Sequence, residues 1–176
     1  MKIPSLLLLA TVALAPLSAV ADQLLVKFDG GIGVDPVSTA TTPNTVRGVQ
    51  PPGLAWAIAD LKAEVMVDGR IKADGRGLVL AGGNTIGTAL AVTPTGGTTA
   101  SLKVFATLIC ENVPTFVQRN TNLAGVPLAA NGDFTIDVLS PPLPRSSCDT
   151  PVLLIRSTAG GLNWFAAGIQ KFDDNH

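Results

Sequence analysis

Short runs in which apolar and polar residues alternate recur along this chain, and this period of two is typical of strands with one buried face. The clearest runs are Leu61–Val67 and Asp133–Leu139. An Asp-Gly pair follows the first run, and this pair favours the type I′ turn of a two-residue hairpin. We therefore predict that Leu61–Val67 pairs with Arg70–Ala73, and that Asp74–Gly77 then forms a second turn or a glycine bulge.

The longest strand-like run is Ser101–Cys110, which ends in one of only two cysteines. Leucine, valine and alanine occupy one of its faces, while Phe105 and Ile109 lie on the other. A strand that is apolar on both faces is covered on both sides. We predict that this run is the central strand of the fold and that Cys110 anchors its end covalently.

Turn residues separate the remaining strand-like runs, and no run has the period of an amphipathic helix. Further strands are predicted at Gln23–Phe28, Leu78–Ala81, Ile86–Val92, Thr115–Arg119, Val126–Ala129, Val152–Ser157 and Trp164–Gln170. Asp29–Gly31 is predicted to turn the chain after the first of them. About eight to ten short strands, with turn signals every 8–12 residues or so, are typical of all-β folds. We predict a single-domain antiparallel β-sandwich, with a small closed β-barrel as the alternative.

A segment rich in threonine and proline, residues 34–54, interrupts this alternation. Proline lacks the backbone donor and fixes φ, so few regular elements tolerate such a density of prolines. We predict an extended segment that packs along the surface. Because a structureless loop of this length is uncommon inside a compact domain, we also expect an edge strand within it, and Thr45–Val49 fits best.

Residues 1–21 have the organisation of a secretory signal peptide. Lys2 provides a positive start, an apolar run follows, and small residues precede Asp22 at the spacing that signal peptidase recognises. We predict cleavage between Ala21 and Asp22, which leaves residues 22–176 as the mature domain. The apolar run is too short to span about 30 Å of hydrocarbon, and no second long apolar run follows. We therefore expect a secreted or periplasmic protein without a transmembrane segment in its mature form.

Cys110 and Cys148 are the only cysteines. An even pair in an exported chain predicts a disulfide. A free reactive thiol and half of a metal site are the alternatives, but the only histidine is His176, which leaves a metal site short of ligands. We predict a disulfide between Cys110 and Cys148, and neither a metal nor another cofactor.

The charge argues against nucleic acid as a partner. The net charge of the whole chain is −1, and it becomes −2 without the leader because Lys2 is the leader's only charged residue. No basic cluster follows the leader, so the chain has no electrostatic footprint for nucleic acid. The expected partner is an unknown protein or a surface, and the composition does not define the oligomeric state.

Histidine-based catalysis is almost excluded, because a single histidine at position 176 offers no plausible Ser-His-Asp arrangement. Carboxylates are the remaining candidates for hydrolysis, and Glu111, beside the predicted disulfide, is the first residue to consider. Aspartates beside glycines are interpreted as turn residues that bond their local backbone, namely Asp29, Asp68, Asp74 and Asp133. We assign no catalytic residue.

Three isolated signals have plain structural interpretations. The segment Asp68–Asp74 contains two acids, but the arginine and lysine between them leave it without the oxygen density of a calcium loop. Arg156 is the only charge in the apolar run Val152–Ser157, and we interpret it as a strand-end charge that faces solvent, with pairing to an acid across the sheet as the alternative. Trp56 and Trp164 are assigned to the core, since a carbohydrate-binding face normally presents two or three exposed aromatics.

Five stretches of the mature chain form a set. They are GRGLVLAGGNTIG (Gly75–Gly87), the strand end LIC at Cys110, NGDFTID (Asn131–Asp137), CDTPVLLIRS (Cys148–Ser157) and WFAAGI (Trp164–Ile169). Together they resemble an uncharacterised family of small secreted bacterial proteins that has no assigned activity. The resemblance covers most of the mature chain. It implies export and a single β domain, and it carries over no catalytic residue.

These observations favour an exported, non-enzymatic β-sandwich that acts by binding or assembly at the cell surface, in the periplasm or outside the cell. One alternative is a fimbrial, pilin-like subunit in which Gln23–Phe28 completes a neighbour's sheet as a donor strand. The positions of the cysteines in the C-terminal half and the absence of tyrosine depart from the pilin pattern. A small carboxylate-dependent hydrolase is the second alternative.

Replacing Cys148 with serine tests the disulfide. Closing the loop between Cys110 and Cys148 should stabilise the fold by about 4 kcal/mol, because it restricts the unfolded chain. We therefore expect Cys148→Ser to lower the midpoints of thermal and urea unfolding, and reduced wild-type protein to behave like the variant. Unchanged midpoints would show that the two cysteines are not bonded.

Overall fold

The computed structural model describes residues 23–81, 102–139, 148–159 and 161–172. These residues form eleven β-strands and no helix. The strands are β1 (Leu24–Gly33), β2 (Trp56–Ala57), β3 (Asp60–Met66), β4 (Arg70–Arg76), β5 (Val79–Leu80), β6 (Lys103–Asn112), β7 (Thr115–Asn120), β8 (Val126–Pro127), β9 (Phe134–Leu139), β10 (Asp149–Ser157) and β11 (Trp164–Lys171). The all-β prediction is confirmed. The leader, its cleavage site and the predicted strand Ile86–Val92 lie outside the described residues.

Nine of these strands form one curled antiparallel sheet in the order β7-β6-β10-β11-β1-β3-β4-β9, in which β8 also pairs with β6. The strands β2 and β5 form a separate two-stranded sheet. The large sheet curls into a half-barrel, and a backbone hydrogen bond of 2.9 Å from Leu78 N to Gly132 O joins the segment after β4 to the turn before β9. The curl gives the all-β fold a form between a sandwich and a barrel.

The strand β6 is not the middle strand of this sheet, contrary to the prediction. It lies second from one edge, between β10 on one side and β7 with β8 on the other. The prediction that both of its faces are covered is confirmed, because every residue from Val104 to Cys110 is buried. The run is therefore central to the core although it is not central in the strand order.

The main core fills the concave side of the curled sheet. Alternate residues of β3 point into it and are buried, as the alternation in Leu61–Val67 predicts. The largest side chains in this core include Phe28, Leu61, Ile71, Leu108, Ile136, Leu153 and Ile155. Burying each of them stabilises the fold by about 1.5–3 kcal/mol relative to an exposed side chain.

A strap, residues 34–55, covers the convex side of β6, β10 and β11. It is tied to Trp164 of β11, whose backbone N–H donates to Gln50 O at 3.1 Å and whose indole Nε1 donates to Asn44 O at 2.9 Å. Phe105, on the convex side of β6, has no exposed surface. The strap therefore supplies the covering layer that the second apolar face of β6 requires.

The strap contains a tight turn where an edge strand was predicted. Val46 and Val49 exchange two backbone hydrogen bonds, of 3.0 and 2.9 Å. Between them lie Arg47 and Gly48, with φ angles of +46° and +84°. Two central residues with positive φ define a type I′ turn. The predicted strand over Thr45–Val49 is wrong because this segment turns back on itself.

Two glycine-rich stretches predicted as turns lie inside strands. At Asp29–Gly31, Gly30 has a φ of +97° and the register of β1 against β11 shifts, which makes this a β-bulge. At Asp74–Gly77 the strand β4 continues to its end at Arg76, because Gly75 leaves space for the ring of Phe134. A Cβ atom at that position would overlap the ring.

The Asp-Gly hairpin forms as predicted, but with a different turn. Gly69 N donates to Met66 O at 3.0 Å, and Gly69 has a φ of +94° whereas Asp68 does not have positive φ. Asp68 Oδ1 accepts a hydrogen bond of 2.9 Å from Arg70 N. This is the three-residue hairpin in which a left-handed glycine follows the turn, so the type I′ prediction is wrong.

The substitution Gly75→Ala tests the close approach of Phe134. Overpacking of a core costs about 1–3 kcal/mol, so we expect the urea midpoint to fall with the m-value unchanged. The control is Gly53→Ala, because nothing lies within 4 Å of a Cβ atom there, and its effect should stay within about 0.5 kcal/mol. Equal effects of the two substitutions would contradict this packing explanation.

Candidate functional site

The Cys110–Cys148 disulfide joins the end of β6 to the start of β10, as predicted, with a Cα–Cα distance of 5.0 Å. Beside it, the register of the two strands places Glu111 opposite Asp149. Thr150 Oγ1 donates to Glu111 Oε2 at 2.8 Å. The carboxylate that the sequence singled out therefore lies at the covalent junction, next to a second carboxylate.

Arg47, at the tip of the strap, reaches the same end of the sheet. Its Nη2 donates to Thr150 Oγ1 at 2.7 Å and its Nη1 donates to Ile109 O at 2.9 Å. Its guanidinium carbon lies 4.8 Å from the centre of the Phe116 ring, which is a cation–π contact. One side chain of the strap thus contacts β6, β7 and β10.

Phe116 remains 48% exposed beneath this guanidinium. Arg47 also lines a cavity of about 690 Å³. The cavity is lined by Arg47, Cys148, Asp149, Thr150, Pro151, Val152, Gln170 and Phe172. An exposed aromatic ring and a cavity therefore share one side chain, Arg47. We call the surface formed by Phe116, Arg47 and this cavity the Phe116 surface.

Arg156 is buried, with 8% of its surface exposed, so the prediction that it faces solvent is wrong. Its Nε donates to Leu162 O at 2.8 Å, and its Nη1 donates to Thr107 Oγ1 and to Gln118 Oε1, both at 3.4 Å. Within the described ranges no carboxylate lies within 4.0 Å of it, so no acid there forms the alternative ion pair. The burial follows from the position of β10, which has neighbouring strands on both sides and the strap on its convex face.

Neutral groups surround the positive charge of Arg156. Its guanidinium carbon lies 5.3 Å from the centre of the Phe105 ring. Burial lowers the pKa of the Arg156 guanidinium below its ordinary value, because the charged form loses solvation. Arginine nevertheless stays protonated in proteins. The interior therefore holds a positive charge that is surrounded by dipoles and an aromatic face.

Gln118 connects the two arginines. Its Nε2 donates to Arg47 O at 3.5 Å, and its Oε1 accepts from Arg156 Nη1 at 3.4 Å. Thr107 extends the chain of contacts, because its Oγ1 donates to Asn120 Oδ1 at 2.7 Å. We call these five residues the arginine network. It contains two cations and no acid, and Thr150 links it to the carboxylate of Glu111, because Thr150 Oγ1 accepts from Arg47 Nη2 and donates to Glu111 Oε2.

The aspartates interpreted as turn residues behave differently from one another. Asp68 bonds its local backbone, as predicted. Asp29 instead pairs with Lys171, with 3.3 Å between Oδ2 and Nζ. Exposed ion pairs of this kind contribute about 0–1 kcal/mol. The remaining two aspartates, in β4 and just before β9, are brought together by the sheet.

Asp74 and Asp133 line one cavity of about 340 Å³. Both oxygens of Asp133 are engaged, since Oδ1 accepts from Gly77 N at 3.0 Å and Oδ2 accepts from Asn131 Nδ2 at 2.8 Å. Asp74 Oδ1 accepts from Thr135 Oγ1 at 2.8 Å. A general base needs a carboxylate oxygen within reach of the proton that it takes from a substrate. Three of the four carboxylate oxygens here already accept hydrogen bonds within the protein. We therefore assign the two aspartates structural roles at the β4–β9 pairing.

The two acids weighed as calcium ligands are separated by a strand. Asp68 precedes β4, and Asp74 lies near the far end of the same strand. Because an extended strand rises about 3.3 Å per residue, the two carboxylates do not converge. In the part of the chain that the structure describes, no group of three or more His, Cys, Asp or Glu side chains is placed to hold a metal ion.

Both tryptophans belong to the core, as predicted. Trp56 and Trp164 are 7% and 3% exposed. Trp56 stacks on Phe165, with ring centres 4.2 Å apart and an interplanar angle of 13°. The large aromatic side chains next to the strap therefore stabilise its contact with β11 rather than forming a binding face.

Sequence reasoning missed Arg47 and Phe116. A local signal existed for the turn, because Arg47 precedes a glycine and the pair lies between two valines. Nothing local indicates the partners of Arg47, which are 62 and 103 residues away along the chain. The exposure of Phe116 also depends on the sheet order, which places β7 at an edge.

Comparison with known proteins finds no family model, no curated protein and no solved structure that matches this chain. The interpretation of the site therefore depends on its own geometry. That geometry places an exposed aromatic ring under Arg47 at the Phe116 surface and a buried cation in the arginine network.

The substitution Arg47→Gly tests how the strap is held. Glycine retains the positive φ of the turn, so only the side-chain contacts are lost. Loss of two hydrogen bonds and one cation–π contact should lower the free energy of unfolding by about 1–3 kcal/mol. Hydrogen exchange of the Val49 amide, which closes the turn, should become faster.

The control for this substitution is Arg70→Gln. The side chain of Arg70 is 48% exposed and lies 3.7 Å from Asp137, and such a pair contributes about 0–1 kcal/mol. We expect almost no change in the exchange of the Val49 amide in the control. Equal destabilisation by both substitutions would contradict a specific role of Arg47.

Proposed function

We propose that this chain is an exported protein that acts by binding or assembly rather than by catalysis, through the Phe116 surface. The observation that carries the proposal is the half-exposed Phe116 ring, which lies under Arg47 beside a cavity of about 690 Å³. Aromatic and arginine side chains carry much of the binding energy at protein interfaces. The expected partner is a protein or a cell surface.

Pre-organisation supports this assignment. Arg47 is already held by Ile109 O and Thr150 Oγ1, so its ordering on binding would cost little entropy. Val113, in the turn between β6 and β7, is 80% exposed and adds an apolar side chain to the same hairpin. Because Arg47 and Asp149 both line the cavity, and Glu111 lies opposite Phe116, a partner with an apolar centre and a margin of both charges would complement this surface.

The Cys110–Cys148 disulfide supports the export part of the proposal, because it fits an oxidising compartment. We therefore propose a secreted or periplasmic location, with cleavage of the leader between Ala21 and Asp22. As a separate finding, the described segments include no helix that could span a membrane.

Assembly as a fimbrial subunit would need a contact other than the donor strand. The segment proposed as the donor, Gln23–Phe28, lies largely in β1, where it pairs with β3 from Leu24 onward and also with β11 at Lys27 and Phe28. A donor strand must be free to enter a neighbour's sheet. We therefore propose that any self-assembly uses the Phe116 surface.

A carboxylate-dependent hydrolase is the second candidate, and one observation favours it. The register places Glu111 opposite Asp149 on adjacent strands, and glycosidases use two carboxyls about 5–10 Å apart. Hydrolysis of nitrophenyl glycosides by the mature chain, abolished in Glu111→Gln and in Asp149→Asn, would support this candidate. No hydrolysis above the buffer rate would rule out this glycosidase class.

The binding proposal is tested with the mature chain, Phe116→Ser and the control Ile32→Ser. Ile32 is 60% exposed and does not line the cavity of the Phe116 surface. Light scattering from micromolar to millimolar concentration measures assembly, and co-sedimentation with isolated bacterial envelope fragments measures surface binding. We expect association in one of these assays, weakened at least about tenfold by Phe116→Ser and unchanged in the control.

Two outcomes contradict the binding proposal. One is a monomeric mass at every concentration together with no envelope binding. The other is an equal loss in Phe116→Ser and Ile32→Ser, which would indicate general surface hydrophobicity. Export is tested separately by expression with the leader, because an unprocessed chain retained in the cytoplasm would contradict it, whereas a chain that begins at Asp22 in the periplasm or medium would support it.

A further inference from the structure

A cavity of about 420 Å³ lies between the edge strand β7 and the end of β9. Its apolar wall includes Leu123 and Leu139, which are 49% and 64% exposed. Its polar wall includes Gln118, Arg119 and Asn120. We call it the seam cavity, because β7 and β9 are the two edges of the large sheet. It shares no lining residue with the cavity of the Phe116 surface.

The amide oxygens of the polar wall are used by groups behind it. Gln118 Oε1 accepts from Arg156 Nη1 at 3.4 Å, and Asn120 Oδ1 accepts from Thr107 Oγ1 at 2.7 Å. Because Asn120 uses its oxygen in this way, its Nδ2 is the donor that remains. Across the described ranges this nitrogen makes no hydrogen bond. An available donor therefore lies on the wall of the cavity.

Behind the same wall, Arg156 is a buried cation whose partners are all neutral. Its Nη2 makes no hydrogen bond to any residue that the structure describes. A buried charge without a counter-charge is unfavourable, and a carboxylate matches the guanidinium best. The lowered pKa of Arg156 has the same physical cause, which is the loss of solvation around the charge.

We propose that the seam cavity binds a small amphipathic carboxylate. The carboxylate accepts a hydrogen bond from Asn120 Nδ2 and is attracted by the charge of Arg156. The aliphatic part of the ligand contacts Leu123 and Leu139. This inference goes beyond the proposed function, because it assigns a ligand class to a site separate from Phe116.

The probe is hexanoate, titrated into the mature chain by calorimetry and compared with its neutral analogue hexanamide and with acetate. We expect saturable binding of one hexanoate per chain, at least about tenfold tighter than hexanamide, because charge-assisted hydrogen bonds are the stronger ones. Acetate should bind more weakly because it lacks the apolar part. Hexanoate should also raise the thermal midpoint, since it binds the folded state.

Variants identify the residues responsible. Arg156→Met should remove the preference for hexanoate over hexanamide, while the control Arg70→Gln should retain it. If Arg156→Met fails to fold, Asn120→Leu replaces it, and this variant should weaken hexanoate more than hexanamide. Leu139→Ser should weaken hexanoate and hexanamide equally, because both ligands share the apolar part.

Equal affinity for hexanoate and hexanamide would overturn the inference, and so would unchanged hexanoate binding in Asn120→Leu. Absence of saturable hexanoate binding would overturn it as well. The proposed function would survive each of these results, because Phe116 lies outside the seam cavity and its test measures association with a macromolecule or a surface.

Discussion

The fold depends on one constraint, which is that β6 and β10 are apolar on both faces and must be covered on both. The curl of the large sheet covers the concave face. Phe105 and Leu154 lie on the convex face and are completely buried, at about 1.5–3 kcal/mol each. The strap provides that burial although it forms no strand in the large sheet. A few specific hydrogen bonds, such as those of Arg47 and Trp164, hold it in place.

Much of the fold was predictable because strands and turns depend on neighbouring residues. Alternation was sufficient for β3, β6 and β9, and two cysteines in an exported chain have one pairing. Prediction was wrong where a glycine serves a distant contact. Gly75 resembles a turn residue locally, and its role beneath Phe134 follows only from the pairing of β4 with β9. The strand order was not predictable either, because it depends on pairings between strands that are far apart in the sequence.

The candidate site was less predictable than the fold. Glu111 was recognised because it lies beside Cys110, but the arginines acquire their roles from elements far apart in the chain. A single charge in an apolar strand is normally placed at the solvent-exposed end. Arg156 departs from this rule because the strap covers its strand. No local pattern in Val152–Ser157 indicates that the strand is covered. The burial of this cation is thus a property of the assembled layers.

The disulfide has a topological consequence. The strands β7, β8 and β9 all lie between Cys110 and Cys148, and β7 and β9 are the two edges of the large sheet. Both edges therefore belong to one covalent ring. A single backbone cleavage anywhere within that ring would leave one connected molecule, and both edges would stay tethered to the strands that carry the core. Foreign strands could add to the sheet at these two edge strands. A protease cannot release either edge strand with one cut inside the ring.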